Sequence, residues 1–122
     1  MYNIIFYKDK NGVSDILDLI TELNNKAVTS KDERIQLKQI RFHINILEKL
    51  GTRAGEQFVK HIQNRIWELR PGYNRILFFA WFENNIVLLH FFRKSANKTP
   101  KSELEKAIKK MEDWEERYRY NE

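Results

Sequence analysis

Apolar positions fall at helical spacing in the first half of the chain and again after residue 100, with dense β-branched and aromatic runs between them. Tyr2 to Tyr7 reads as a short opening strand, stopped by Asp9, Asn11 and Gly12. Ser14 is placed to cap a helix carrying Ile16, Leu19, Ile20 and Leu23 at intervals of three and four, with Asn24 and Asn25 near its end. Ser30 and Glu33 form a capping-box pattern that opens a second helix running to Leu50, where Gly51 is a natural stop. The two helices predict an antiparallel hairpin. Gly51 to Gly55 reads as a loop and Glu56 to Gln63 as a short helical turn.

Three strand-like runs follow, Ile66–Arg70, Tyr73–Phe82 and Ile86–Arg93. Pro71-Gly72 and Glu83-Asn84-Asn85 separate them with turn chemistry, so neighbours are expected to be antiparallel. Thr99-Pro100 reads as an N-cap with Pro at the first helical position. The last helix carries Leu104, Ala107, Ile108, Met111 and Trp114 on one face. The predicted order β-α-α-β-β-β-α is an α+β fold, an antiparallel sheet with a helical hairpin packed on it and a C-terminal helix.

The second helix is apolar on two sides. Leu37, Ile40, Ile44 and Leu47 lie within about 80° of one another at about 100° per residue, and Ile35, Phe42, Ile46 and Leu50 form a second stripe opposite. Such a helix is either sandwiched inside its own domain or completed by a partner.

Composition narrows the function. A chain of 122 residues, 42% hydrophobic and 13% aromatic, fits one domain over residues 1–122 with a substantial core. No apolar run approaches the roughly 18 residues of a membrane span and no signal-peptide pattern opens the chain, so a cytoplasmic protein without a membrane partner is expected. Without Cys there is no disulfide, thiol catalysis or thiolate metal site, and His43, His61 and His90 are too few for a multi-histidine centre; no metal or cofactor is expected. The net charge of +5 is concentrated in residues 93–110, where Arg93, Lys94 and five further lysines face only Glu103 and Glu105. A local cationic excess beside aromatic strands suits a phosphate-binding surface.

Period-two geometry puts Glu68 and Arg70 on one strand face and Trp67 and Leu69 on the other. It groups Arg75 with Tyr73, Leu77, Phe79 and Trp81, His90 with Phe92 and Lys94, and Arg93 with Leu89 and Phe91. Charged residues thus gather at the ends of consecutive strands. An arginine in an otherwise apolar strand is costly unless it has a partner or lines an open cleft.

The ordered set Trp67-Glu68-Leu69-Arg70, Tyr73-x-Arg75-Ile76, Leu88-Leu89-His90-x-Phe92-x-Lys94, Lys98-Thr99-Pro100 and Glu105-x-Ala107 resembles the RelE/HigB toxins of toxin–antitoxin systems, and within them the phage-derived HigB branch. The resemblance implies a RelE-like fold and a metal-independent, ribosome-associated mRNA endonuclease that inhibits translation. It also implies neutralisation by a cognate antitoxin, a HigA-like helix-turn-helix protein through which alone operator DNA would be bound. In such enzymes a substrate 2′-hydroxyl attacks its own phosphate, leaving a cyclic phosphate and a free 5′-hydroxyl. The cationic role carries over onto Arg75, then Arg70, then Arg93 or Lys94. Glu68 or His90 is the candidate base, and Lys94 or Lys98 the candidate proton donor or phosphate contact. Arg93, Lys98, Lys101 and Lys109 are candidate RNA contacts, and Ile35, Phe42, Ile46 and Leu50 a candidate antitoxin surface. The chain departs from the pattern at Ile66 and Glu68, where RelE-type enzymes often carry lysines, and at Ser102 and Leu104, where they use a tyrosine. A gyrase-directed toxin of the ParE type is the alternative.

Overall fold

The structure, a computed structural model, describes residues 1–119; residues 120–122 of the expected domain lie outside the described residues. Strand β1 (Asn3–Phe6) is followed by helices α1 (Asp15–Lys26) and α2 (Lys31–Leu50) and a 3-10 turn over Gly51–Ala54. Strands β2 (Val59–Gln63), β3 (Ile66–Leu69), β4 (Asn74–Trp81) and β5 (Asn85–Arg93) come next, and helix α3 (Lys101–Tyr118) closes the fold.

Local chemistry sets most of these boundaries. Ser14 caps α1, its hydroxyl accepting from the Leu17 amide at 3.2 Å, with Asp15 and Asp18 in the first turn facing the positive end of the helix dipole. At the start of α2 the Ser30 hydroxyl donates to the Glu33 carboxylate, so the expected box closes between side chains and leaves the backbone amide uncapped. Gly51 ends α2 at φ +59°, and a Cβ there would stand 2.7 Å from the Tyr2 ring, so both backbone angle and space demand glycine.

The sheet order is β1-β5-β4-β3-β2. Strands β2 to β5 form an antiparallel meander, whereas β1 lies parallel to β5 with Ile4 opposite Ile86. The helical hairpin forms part of the long crossover that a parallel pair requires. Strand β2 corrects the expected helical turn over 56–63. Gly55 (φ +94°) allows a single turn, in which its carbonyl accepts from the Phe58 and Val59 amides at 2.9 Å, and the chain then extends. Val59 pairs with Leu69, and the β2–β3 hairpin closes over Asn64 at φ +49°, a conformation asparagine tolerates.

Two cores occupy the two sheet faces. On one, Leu69, Ile76, Phe78, Ile86 and Leu88 meet Leu37, Ile40 and Leu47 of α2 together with Ile16 and Leu23 of α1. On the other, Ile66, Leu77, Phe79, Val87 and Leu89 pack with Ala107 and Trp114 of α3. The Tyr7 hydroxyl donates to Asp113 at 2.7 Å, tying the exit of β1 to α3. A bulge in β5, where Leu77 pairs with His90 but Phe78 with Leu88, leaves Leu89 unpaired. It corrects the strict alternation expected there: Leu89 joins the α3-side core that also holds Phe92, while Phe91 packs on the hairpin side.

The second apolar stripe of α2 is not interior. Ile35, Phe42 and Leu50 are exposed at 46%, 53% and 43%, and Ile46 is half-buried, whereas Ile40 is fully buried. Ile40→Ala is therefore expected to cost about 2–5 kcal/mol of stability and Phe42→Ala about 1 kcal/mol or less. Urea unfolding of both variants checks this; equal losses would place Phe42 in the core.

Candidate functional site

The ends of β3, β4 and β5 converge on the α3 side of the sheet, beneath the segment that leads into α3. Glu68 on β3 pairs in register with Leu77, and Arg75 on β4 with Phe92, which puts both charged side chains on the α3-facing surface. Glu68 and Arg75 are buried, at 5% and 7% exposure. Glu68 Oε1 stands 3.7 Å from Arg75 Nε and 3.8 Å from Arg70 Nε, and its Oε2 accepts from the Thr99 hydroxyl at 2.9 Å. One carboxylate thus gathers two guanidinium groups and fixes the segment overhead. Thr99 takes this role instead of the expected cap; Pro100 occupies the N-cap position of α3 and supplies no side-chain bond.

Arg75 is held at several points. Its Nη1 donates to the carbonyls of Gly72 and Asn74 at 2.7 and 2.9 Å. Burial pushes its ionisation below the ordinary arginine range, and Glu68 opposes that shift. Lys94 and Lys98 are exposed and line the same cleft as Glu68, Arg70 and Arg75, with Phe92 beneath. A rigid, pre-oriented arginine with mobile lysines beside it can accept and neutralise a phosphate group.

Other candidates lie elsewhere. Arg93 points to the opposite face, where its Nη1 donates to Gln36 on α2 at 3.0 Å, because it follows the bulge with the parity of Phe91. Within the basic segment, Lys106 pairs with Glu103 at 3.6 Å and Lys110 with Asp15 at 2.7 Å. Its exposed cations beside the cleft narrow to Lys94, Lys98 and Lys101. Lys101 borders a groove running to β2, where Lys60 and His61 join it; the polar composition of that edge strand concealed them. Lys109 is exposed on α3 outside this groove and the cleft.

His90 is buried and lies outside the cleft lining. Its Nε2 donates to Glu103 at 2.9 Å, and its Nδ1 lies 3.1 Å from an Asp15 oxygen and 2.9 Å from Lys110 Nζ. The ring joins the start of α1, the bulged strand and α3. A protonated Nδ1 donates to Asp15; a bare one accepts from Lys110.

The model of the family described as Phage derived protein Gp49-like (DUF891) matches residues 28–112, and the chain belongs to that family. It is a family associated with toxin–antitoxin systems. The match takes in α2, the strands that build the cleft and most of α3. No curated protein matches the sequence.

The His90 junction predicts acid sensitivity. Burial raises the Asp15 carboxyl, but bonds from His90 and Lys110 outweigh it and hold the group below its ordinary 3.8; a bond from His90 holds Glu103 below 4.5. Both carboxylates bind protons less readily folded than unfolded. Their contribution to stability is complete above the ordinary values and is lost as pH falls through the depressed ones. His90→Gln should therefore flatten the loss of stability as pH falls below the ordinary carboxyl values of 4.5 and 3.8. Urea unfolding across that range checks it, and an unchanged pH dependence would contradict the junction.

Proposed function

We propose that this protein is the toxin of a HigB-like toxin–antitoxin pair, a metal-independent endoribonuclease that cuts mRNA on the ribosome in the cytoplasm and thereby inhibits translation and growth. The observation that carries this reading is the convergence of Arg70, Arg75, Lys94 and Lys98 around the buried Glu68 in a chain of the Gp49-like family. Within the chain, no helix among the described residues is long and apolar enough to cross a membrane.

In the reaction, the 2′-hydroxyl of one nucleotide gives up its proton to solvent water and its oxygen attacks the adjacent phosphorus in line. The bond from phosphorus to the 5′-oxygen breaks, giving a 2′,3′-cyclic phosphate and a 5′-hydroxyl. Charge accumulates on the non-bridging oxygens as phosphorus becomes five-coordinate, and Arg75 meets it with donors fixed in advance by Gly72, Asn74 and Glu68. The departing 5′-oxygen takes a proton from Lys94 or Lys98 at the cleft mouth. Glu68 is a positioning residue: its Oε2 accepts from Thr99 and its Oε1 faces the guanidinium groups of Arg75 and Arg70. His90 holds α3 against the sheet and takes no part in the chemistry. RNA lies along Lys98 and Lys101 toward β2. The cognate antitoxin, a HigA-like protein that also supplies operator binding, docks on the Ile35, Phe42, Ile46 and Leu50 stripe of α2.

Arg75→Ala removes one of the two cations beside the buried Glu68 and so lowers stability as well as activity. Arg75→Lys retains charge, loses the two-pronged geometry and is the cleaner test. It should lower cleavage by about 10²–10³ with the fold intact. Glu68→Gln should give a smaller loss, since it acts through the arginine. Primer extension on cellular mRNA after brief induction reads the effect: the parent leaves discrete cuts within coding regions and Arg75→Lys few. Parent protein that arrests growth without such cuts would favour the gyrase-directed alternative.

A further inference from the structure

The outward surface of α2 carries a charge pattern that neither the cleft nor the core explains. At about 100° per residue, Lys31, Arg34, Lys38, Arg41 and Lys49 fall on the solvent side beside Ile35, Phe42 and Ile46. Gln39 and Asn45 fill the same sector, while Asp32, Glu33 and Glu48 fall at its borders or beyond. This face holds no carboxylate. All five cations are exposed, and none forms an ion pair among the described residues.

The surface is also shaped. A depression between the end of α1 and α2 is lined by Asn24, Lys31, Arg34 and Arg41, and an apolar shelf by Gln39, Phe42 and His43. The two share Ile35 and Lys38 and so form one continuous track. From Lys31 to His43 it spans about 18 Å at 1.5 Å per residue, and the cationic face continues along the helix to Lys49.

We infer that this face docks an amphipathic helical segment of a partner protein whose apolar side is flanked by carboxylates. Charge complementarity selects that occupant. Five cations without counter-charges repel one another and attract an anionic partner, while exposed Ile35, Phe42 and Leu50 need apolar cover. A nucleic acid would meet the cations and the Phe42 ring, but it would leave exposed Ile35 and Leu50 without apolar cover. A purely apolar partner would leave the cationic flank unmatched. Because α2 packs on the face of the sheet opposite the cleft, a segment seated here leaves Arg75 and Glu68 open. Identification of the partner as the antitoxin rests on the proposed function; the docking chemistry does not.

The test uses the full chain and three fluorescein-labelled helical peptides of about 18 residues that share one leucine face and carry Glu, Gln or Lys along its flanks. At low salt the Glu peptide should bind about tenfold more tightly than the Gln peptide, since a few exposed ion pairs contribute on that scale. The Lys peptide should bind weakest. The double variant Lys38→Glu/Arg41→Glu, altered only at exposed positions, should reverse the order and prefer the Lys peptide. Phe42→Ala should weaken the Glu and Gln peptides alike. Equal binding of Glu and Gln peptides, failure of the double variant to reverse the order, or displacement of the Glu peptide by a 12-nucleotide RNA would overturn the inference. Cleavage is read separately. Peptide binding without any mRNA cutting would leave this surface standing and remove the nuclease, and cutting without peptide preference would do the reverse.

Discussion

A carboxylate taken out of water must find its charge and hydrogen bonds inside the protein, and Glu68 finds both at one point. Arg75 and Arg70 supply the cations, and the Thr99 hydroxyl supplies the remaining bond. That arrangement links the ends of β3 and β4 to the segment entering α3. It also fixes Arg75 beside the cleft. Loss of Glu68 would leave the buried Arg75 without its carboxylate, so the carboxylate holds the local fold together. Seated in this way, Glu68 is proposed to position the arginines, and the proposed mechanism leans on prearranged cations.

The sheet separates two tasks. Its α3 side carries the charged cleft and the His90 junction, and its hairpin side carries a core under α2 whose outer surface is cationic and apolar at once. Gln36 stands between them, accepting from Asn74 Nδ2 at 3.1 Å and from Arg93 Nη1 at 3.0 Å, next to Arg75 in the chain. A partner on α2 therefore lies one side chain away from the strand that bears the cleft arginine.

Much of the fold was legible in the sequence because periodicity and caps agreed. Ser14, Gly51 and the apolar spacing of α2 marked helix ends and the buried face, and aromatic β-branched runs marked β3 to β5. The edge strand β2 escaped because Lys60, His61 and Gln63 give it little apolar alternation; the Asn64 turn was its clearest signal. Arg93 was associated with the cleft by its place at a strand end, whereas its parity with Phe91 turns it to the hairpin side; the bulge in β5, which leaves no mark in composition, moves Leu89 out of that group. The parallel pairing of β1 depends on tertiary packing that local pattern does not encode. Of the site, Arg70, Arg75 and Lys94 were found as charges at strand ends and Lys98 through the family resemblance, whereas the Thr99–Glu68 bond joins residues 31 apart and required the fold.

The central claim is that Glu68 works through Arg75. A double-mutant cycle on the cleavage rate of ribosome-bound mRNA tests it most directly, using Glu68→Gln, Arg75→Lys and the two combined. If Glu68 only orients the arginine, the combined variant should be no slower than Arg75→Lys alone, the strong non-additivity of residues acting as a unit. Losses that multiply would contradict the account and give Glu68 a separate part in the reaction.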